Sequence, residues 1–384
     1  MDNLIQNNLR EMPELNIGGL KPKYPIIQGG MGVGISLSGL ASAVANEGGI
    51  GVIAAVGISA TKSEVSKTFR KDNIDSLKEE IRKARALSDG IIGVNIMVAL
   101  TDFDNLFAAT VEEGADIAFV GAGLPLRVPK LLTEEQKKEH KTRIVPIVSS
   151  ARATNIILRS WEKNNFYPDA VVVEGPKAGG HLGFKEEQIT DPEYSLDKIL
   201  PEIIDTVKPY EERSGRKIPV IAAGGIYTGS DIFKYLNMGA SGVQMATRFV
   251  TTYECDADIK FKEAYINAKE EDINIIKSPV GLPGRAINNG FLIDVKNGKK
   301  KPFKCPWKCL ITCDFKTTPY CIAQALTNAQ KGNLKDGFAF AGANAYRATE
   351  VISVREVFNS LAEEYKYTVS AFEYLGNFRK QLIS

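Results

Sequence analysis

The chain alternates between two hydrophobic patterns. Short, largely apolar runs, rich in Val and Ile, occupy residues 24–28, 50–54, 91–96, 117–120, 144–148, 170–173, 218–222 and 242–245. Between them lie longer stretches in which apolar positions are spaced among charges, as at 38–46, 63–86, 102–113, 151–164, 196–213 and 230–238. An unbroken apolar strand is buried on both faces, which is the condition of a parallel sheet. Spaced apolar positions mark helices with one buried face. Eight strand–helix alternations predict an α/β fold of the TIM (β/α)8 barrel type. The doubly wound sheet is the alternative. It favours G-x-G-x-x-G after the first strand, and Gly29-Gly30-Met31-Gly32-Val33-Gly34 lacks that spacing. Past Phe249 the alternation stops. Residues 279–304 are rich in Gly, Asn and Lys without clear periodicity, and 354–364 and 369–383 read as terminal helices. The expected organisation is therefore a barrel over 15–270 and an appended lobe over 271–384 that covers the barrel mouth.

Polar and glycine residues cluster where the apolar runs end. These positions carry Gly29-Gly30, Asn95, Glu174, Gly224-Gly225 and Gln244. In a barrel all of them fall on the face where sites form. After the sixth run comes Ala178-Gly179-Gly180-His181-Leu182-Gly183, which places one of only two histidines in a glycine-rich loop. Glycine lets backbone approach a ligand closely and adopt positive φ. Histidine exchanges a proton near neutrality. His181 is thus the candidate catalytic group, set against the plainer reading of a structural loop histidine. Ala223-Gly224-Gly225 and Gln244-Met245-Ala246-Thr247 follow the seventh and eighth runs. Glycine-rich turns there supply backbone N–H groups for a phosphate, and Thr247 adds a hydroxyl. The plainer reading is tight turns alone. His140 lies in a charged run and reads as a solvated surface residue.

Composition narrows the partners. The 384 residues are 44% hydrophobic and 24% charged, and 48 Lys and Arg against 46 Asp and Glu give a net charge of +2. That balance offers no basic patch, so nucleic acid is not an expected partner. No apolar run approaches a membrane span. The polar N-terminal stretch does not read as a signal peptide, so a cytoplasmic location is expected. Oligomeric state is left open, with a homo-oligomer as one alternative.

The motifs Pro25-Ile26-Ile27-Gln28-Gly29-Gly30-Met31-Gly32, Gly93-Val94-Asn95, Ala178-Gly179-Gly180-His181-Leu182-Gly183, Ala223-Gly224-Gly225-Ile226 and Gly242-Val243-Gln244-Met245-Ala246-Thr247-Arg248-Phe249 together resemble the nitronate monooxygenase family. The flavin-dependent enoyl-ACP reductases share the pattern. The resemblance covers roughly residues 15–295 and implies an FMN-binding TIM barrel. It implies that Gly29, Gly30 and Met31 line the flavin ring. Asn95 and Glu174 would hydrogen-bond near it, unless they only satisfy neighbouring loops. Gly180, Gly224, Gly225, Gln244 and Thr247 would hold the ribityl phosphate end, and Gly179, Ala223, Met245 and Ala246 would also contact the cofactor. His181 would face the substrate. Lys177 departs from the small or acidic residue expected before the Ala178 motif.

The resemblance leaves the substrate open. A nitronate oxidised with oxygen needs no nicotinamide. An enoyl thioester needs NAD(P)H and a lane for a carrier-bound chain, and a quinone reductase is a third option on the same scaffold. A flavin-binding sensor or an interaction scaffold without cofactor is the non-enzymatic alternative.

Five cysteines include a group at 305, 309, 313 and 321. On a helix Cys305, Cys309 and Cys313 would share one face. With Cys321 they could ligate zinc or an iron–sulfur cluster. The spacing matches neither paired C-x2-C zinc sites nor the ferredoxin run. The alternative is thiols packed as small hydrophobic groups. Cys255 reads as an isolated structural residue.

Overall fold

The structure is a computed structural model that describes residues 11–62, 68–299, 305 and 307–383. Its centre is a closed parallel barrel of eight strands. They are β1 (Ile26–Gln28), β2 (Ile50–Ala54), β3 (Ile91–Met97), β4 (Ile117–Gly121), β5 (Arg143–Val148), β6 (Val171–Glu174), β8 (Val220–Ala223) and β9 (Gly242–Met245), with β9 pairing back onto β1. The short β7 (Gly180–His181) leaves the barrel and joins a three-stranded antiparallel sheet with β10 (Ile273–Lys277) and β11 (Pro283–Ile287). The eight apolar runs are the eight barrel strands, within two residues at each end.

Each strand divides its residues between two cores, as its period of two requires. Ile27, Val52, Phe119, Val145, Val172 and Ile221 fill the barrel interior, which Leu15 and Ile17 close from the N-terminal segment. Ile26, Ile53, Val94, Val120, Ile144, Val173 and Val243 point outward beneath the helices. The helix Ser38–Asn46 packs so closely on β2 that a Cβ at Gly51 would lie 1.8 Å from Ala41 O. No side chain of its own caps this helix. Asp256, distant in sequence, accepts from the N–H groups of Leu37, Gly39 and Leu40 at 2.7, 3.2 and 3.1 Å, satisfying donors a helix start leaves orphaned.

The segment expected as one appended lobe, 271–384, divides. The final helix, Val354–Ile383, packs on the helix Gly229–Asn237: a Cβ at Gly229 would stand 2.3 Å from Leu361 O and Tyr365 N, and Gly229 N donates to Glu364 at 2.7 Å. It therefore belongs to the barrel's outer ring. The described residues between 251 and 353 form an insertion between β9 and this last helix. Spaced apolar positions identify a helix but do not say which barrel face it covers. Among the described residues no helix is long and apolar enough to cross a membrane.

Candidate active site

The C-terminal ends of the barrel strands open into a cavity of about 660 Å³, inside the range of about 300–1,000 Å³ usual for cofactor and ligand pockets. Gly29, Gly30, Met31, Asn95, Glu174, Gly179, Gly180, His181, Ala223, Gly224, Gly225, Gln244, Met245, Ala246 and Thr247 all line it. The structure thus brings every barrel residue singled out by sequence to one place.

The glycines are required by contact as well as by conformation. A Cβ at Gly30 would fall 2.4 Å from Asn95 Cβ, so glycine is what lets the β1 loop lie against the end of β3. Gln28 turns inward, where its Oε1 accepts from Val52 N at 2.9 Å and its Nε2 donates to Gly29 O at 2.5 Å. That fixes the peptide at the cavity floor. Gly224 and Gly225 have φ of 94° and 85°, the left-handed region that costs other residues about 1–2 kcal/mol. A Cβ on Gly225 would also stand 2.7 Å from Lys177 Cβ.

The insertion completes the wall. β7 pairs with β11, setting His181 opposite Gly284 and Gly180 opposite Arg285. The buried Arg285 donates to Pro176 O and Ala178 O at 2.5 and 2.7 Å, clamping the start of the histidine loop. His181 Nε2 shares a 2.6 Å hydrogen bond with Ser278 Oγ. The Phe340 ring meets the imidazole edge-on at 4.9 Å between centroids. At the phosphate-type end, Asn344 Nδ2 donates to Gly225 O at 2.7 Å, and a Cβ at Gly342 would lie 2.5 Å from Thr247 Oγ1. Ser278, Phe340, Gly342 and Asn344 had no place in the site read from sequence, and Lys177 entered it only as a departure from the expected motif. The small residues of Ala341-Gly342-Ala343-Asn344 were the available signal, but they lie in a segment with no strand–helix period to place them.

Burial reverses the expected protonation roles. It lowers the His181 imidazole from 6.5 to about 4, so the ring is neutral at neutral pH and does not titrate there as its residue type suggests. It raises Glu174 to about 7. Among the described residues no group donates a hydrogen bond to the Glu174 carboxylate, so nothing offsets its loss of water. The group that titrates near neutrality in this cavity is the glutamate.

His140 is also corrected. It is not merely a solvated surface residue: its Nε2 lies 2.8 Å from Asp169 Oδ1, a carboxylate fully removed from solvent. Arg216 and Ile144 N reach the same carboxylate at 2.7 and 2.8 Å.

Cys305, Cys309 and Cys313 do not share a helical face, because the segment is not a helix. Among its described residues it runs as irregular chain and turn, with Leu100 bridged to Leu310 and Thr101 N bonded to Cys309 O at 3.1 Å. Pairing with the loop after β3 takes the backbone bonds that a helix would use. Among the described residues no group of three or more His, Cys, Asp or Glu is arranged to hold a single metal ion. Cys255 is buried, where its Sγ donates to Ile35 O at 3.4 Å.

The family model described as nitronate monooxygenase matches residues 14–364. The chain belongs to this family. A protein of Staphylococcus aureus (strain Newman) named as a probable nitronate monooxygenase is 31% identical over 301 residues, covering 71% of this chain and 78% of that protein. Among solved structures, FabK from Thermotoga maritima superimposes with a TM-score of 0.69 at 26% identity, over 92% of this chain and 96% of that one. A nitroalkane oxidase from Streptomyces ansochromogenes gives 0.69 at 22% identity, over 91% and 98%, a likeness of fold. Family membership makes the chain a flavin-dependent oxidoreductase and sets aside the scaffold reading. The site fits a flavin on its own evidence: a cavity of cofactor size, backbone approaches open only to glycine, and a phosphate-type end flanked by Lys177, Thr247 and Asn344.

Proposed function

We propose that the enzyme binds FMN in this cavity and oxidises an alkyl nitronate with molecular oxygen. FMN, when bound, supplies the electron-accepting ring for the substrate and the electron donor for oxygen. Gly29, Gly30 and Met31 would border the ring. Gly224, Gly225 and Thr247 would hold the phosphate through backbone N–H groups and a hydroxyl. The observation that carries the reading is a neutral histidine in the cavity wall, held by Ser278. A nitronate arrives already deprotonated, so it calls for a hydrogen-bond donor and not for a strong base. The tautomer that accepts from Ser278 on Nε2 carries its proton on Nδ1 and remains a donor. Anaerobic mixing with propyl nitronate, NADH and NADPH in separate experiments tests this. Rapid flavin bleaching by the nitronate is expected; bleaching by NAD(P)H alone would overturn it.

A second reading rests on a different feature of the cavity. Leu100, Leu106, Leu310, Ile322 and Leu326 form an apolar side beyond the glycine loops. Such a surface suits an acyl chain and favours NAD(P)H-dependent reduction of an enoyl thioester. A quinone would meet the same surface, and the NAD(P)H arms above detect either.

A further inference from the structure

The four clustered cysteines are not used in the chemistry described above, yet the insertion gathers them. Cys305, Cys309, Cys313 and Cys321 all line a second cavity of about 360 Å³, and none is in a disulfide. No carboxylate among the described residues lines it, whereas Arg70 and Lys308 do. Lys308 N donates to Cys305 Sγ at 3.3 Å. Cys321 immediately precedes the helix Ile322–Gln330, and the backbone N–H groups of Gln324 and Ala323 lie against its sulfur.

We propose that this cavity holds a [4Fe–4S] cluster ligated by Cys305, Cys309, Cys313 and Cys321. The ligand set is one soft thiolate for each iron. Size separates a cluster from a single ion. One zinc draws four sulfurs to about 2.3 Å from a common point, hence about 4 Å from each other. A cubane takes its thiolates at separate corners and needs a chamber, which the cavity supplies. Charge agrees, because a cluster with four thiolates is anionic, Arg70 borders the cavity, and backbone N–H groups, that of Lys308 among them, point to the sulfurs. Cys309, Leu310, Ile322 and Ala323 border this cavity and the larger one alike. The cluster would therefore sit one side chain from the proposed flavin site, although its binding does not depend on that reading.

The test is metal analysis of the full chain purified without oxygen, before and after reconstitution with ferrous iron and sulfide. About four irons and four acid-labile sulfides per chain are expected, with an EPR signal after dithionite reduction that persists when flavin is stripped. The double variant Cys305→Ser/Cys321→Ser should lose at least tenfold in iron while keeping its flavin. Zinc at about one per chain, or four thiols still free to react after reconstitution, would overturn the proposal. The wild-type content decides the matter even if the variant fails to fold.

Discussion

His181 Nε2 and Ser278 Oγ lie 2.6 Å apart across 97 positions of sequence. The first belongs to the barrel's sixth βα connection and the second to the insertion. Their hydrogen bond makes this wall of the cavity a joint product of both.

Ser278→Ala should therefore loosen the imidazole without touching the flavin cradle. A fall of about tenfold in kcat/KM is expected, equivalent to one hydrogen bond of about 1.4 kcal/mol, with unchanged flavin content. His181→Ala should cost about a hundredfold or more, again with flavin retained. Loss of flavin from either variant would show that the pair is structural.

Glu174 sets the pH dependence. Its carboxyl is raised to about 7, so it is neutral below that pH and gains negative charge above it. Binding of an anionic substrate should weaken as pH rises through 7, and Glu174→Gln should flatten that step. His181, lowered to about 4, contributes no step between pH 5 and 9. A pH profile of KM for the nitronate, in wild type and variant, checks the assignment; a step that survives Glu174→Gln would refute it.

Gly225→Ala combines positive φ with a side chain 2.7 Å from Lys177 Cβ. The backbone strain alone is about 1–2 kcal/mol. FMN affinity should fall at least tenfold while the far-ultraviolet circular dichroism stays that of a barrel. Equilibrium dialysis of the flavin measures it, and unchanged affinity would remove this loop from the phosphate site.

Asp169 should matter for stability and not for turnover. Burial opposes its charge, yet the hydrogen bonds of His140, Arg216 and Ile144 N hold its carboxyl below the usual range. Because its folded value is depressed, its contribution is present above the unfolded carboxylate range, near pH 4, and is lost as pH falls below it. Asp169→Ala should destabilise the fold by about 3 kcal/mol at neutral pH, with a smaller difference in acid. Urea melts at pH 7 and pH 3.5 read both.

The barrel was legible because its signal is local. Residues 50–54 or 117–120 are apolar at every position, and only a strand covered on both faces needs that. The glycines at 29, 30, 224 and 225 were legible for a related reason: they stand where apolar runs end, and a barrel turns all such ends to one face. Ser278, Phe340 and Asn344 were not legible. Each acts through a neighbour 97, 159 or 119 residues away, respectively, and each lies where hydrophobic periodicity lapses. The protonation of the site was misread for the same cause, since a reference pKa belongs to a residue type whereas its shift belongs to the surrounding burial.

Sequence by itself determined the eight strands, the face that carries the site, and the histidine, glycines and strand-end polar groups that line it. Those features follow from hydrophobic period and backbone conformation, which a few adjacent residues specify. Tertiary structure decided that the last helix joins the barrel, that the insertion supplies the partners of His181, that Glu174 and not His181 titrates near neutrality, and that four cysteines without a helical face meet around one cavity. Each of these depends on which distant groups exclude water from one another, and that is set only when the chain has closed.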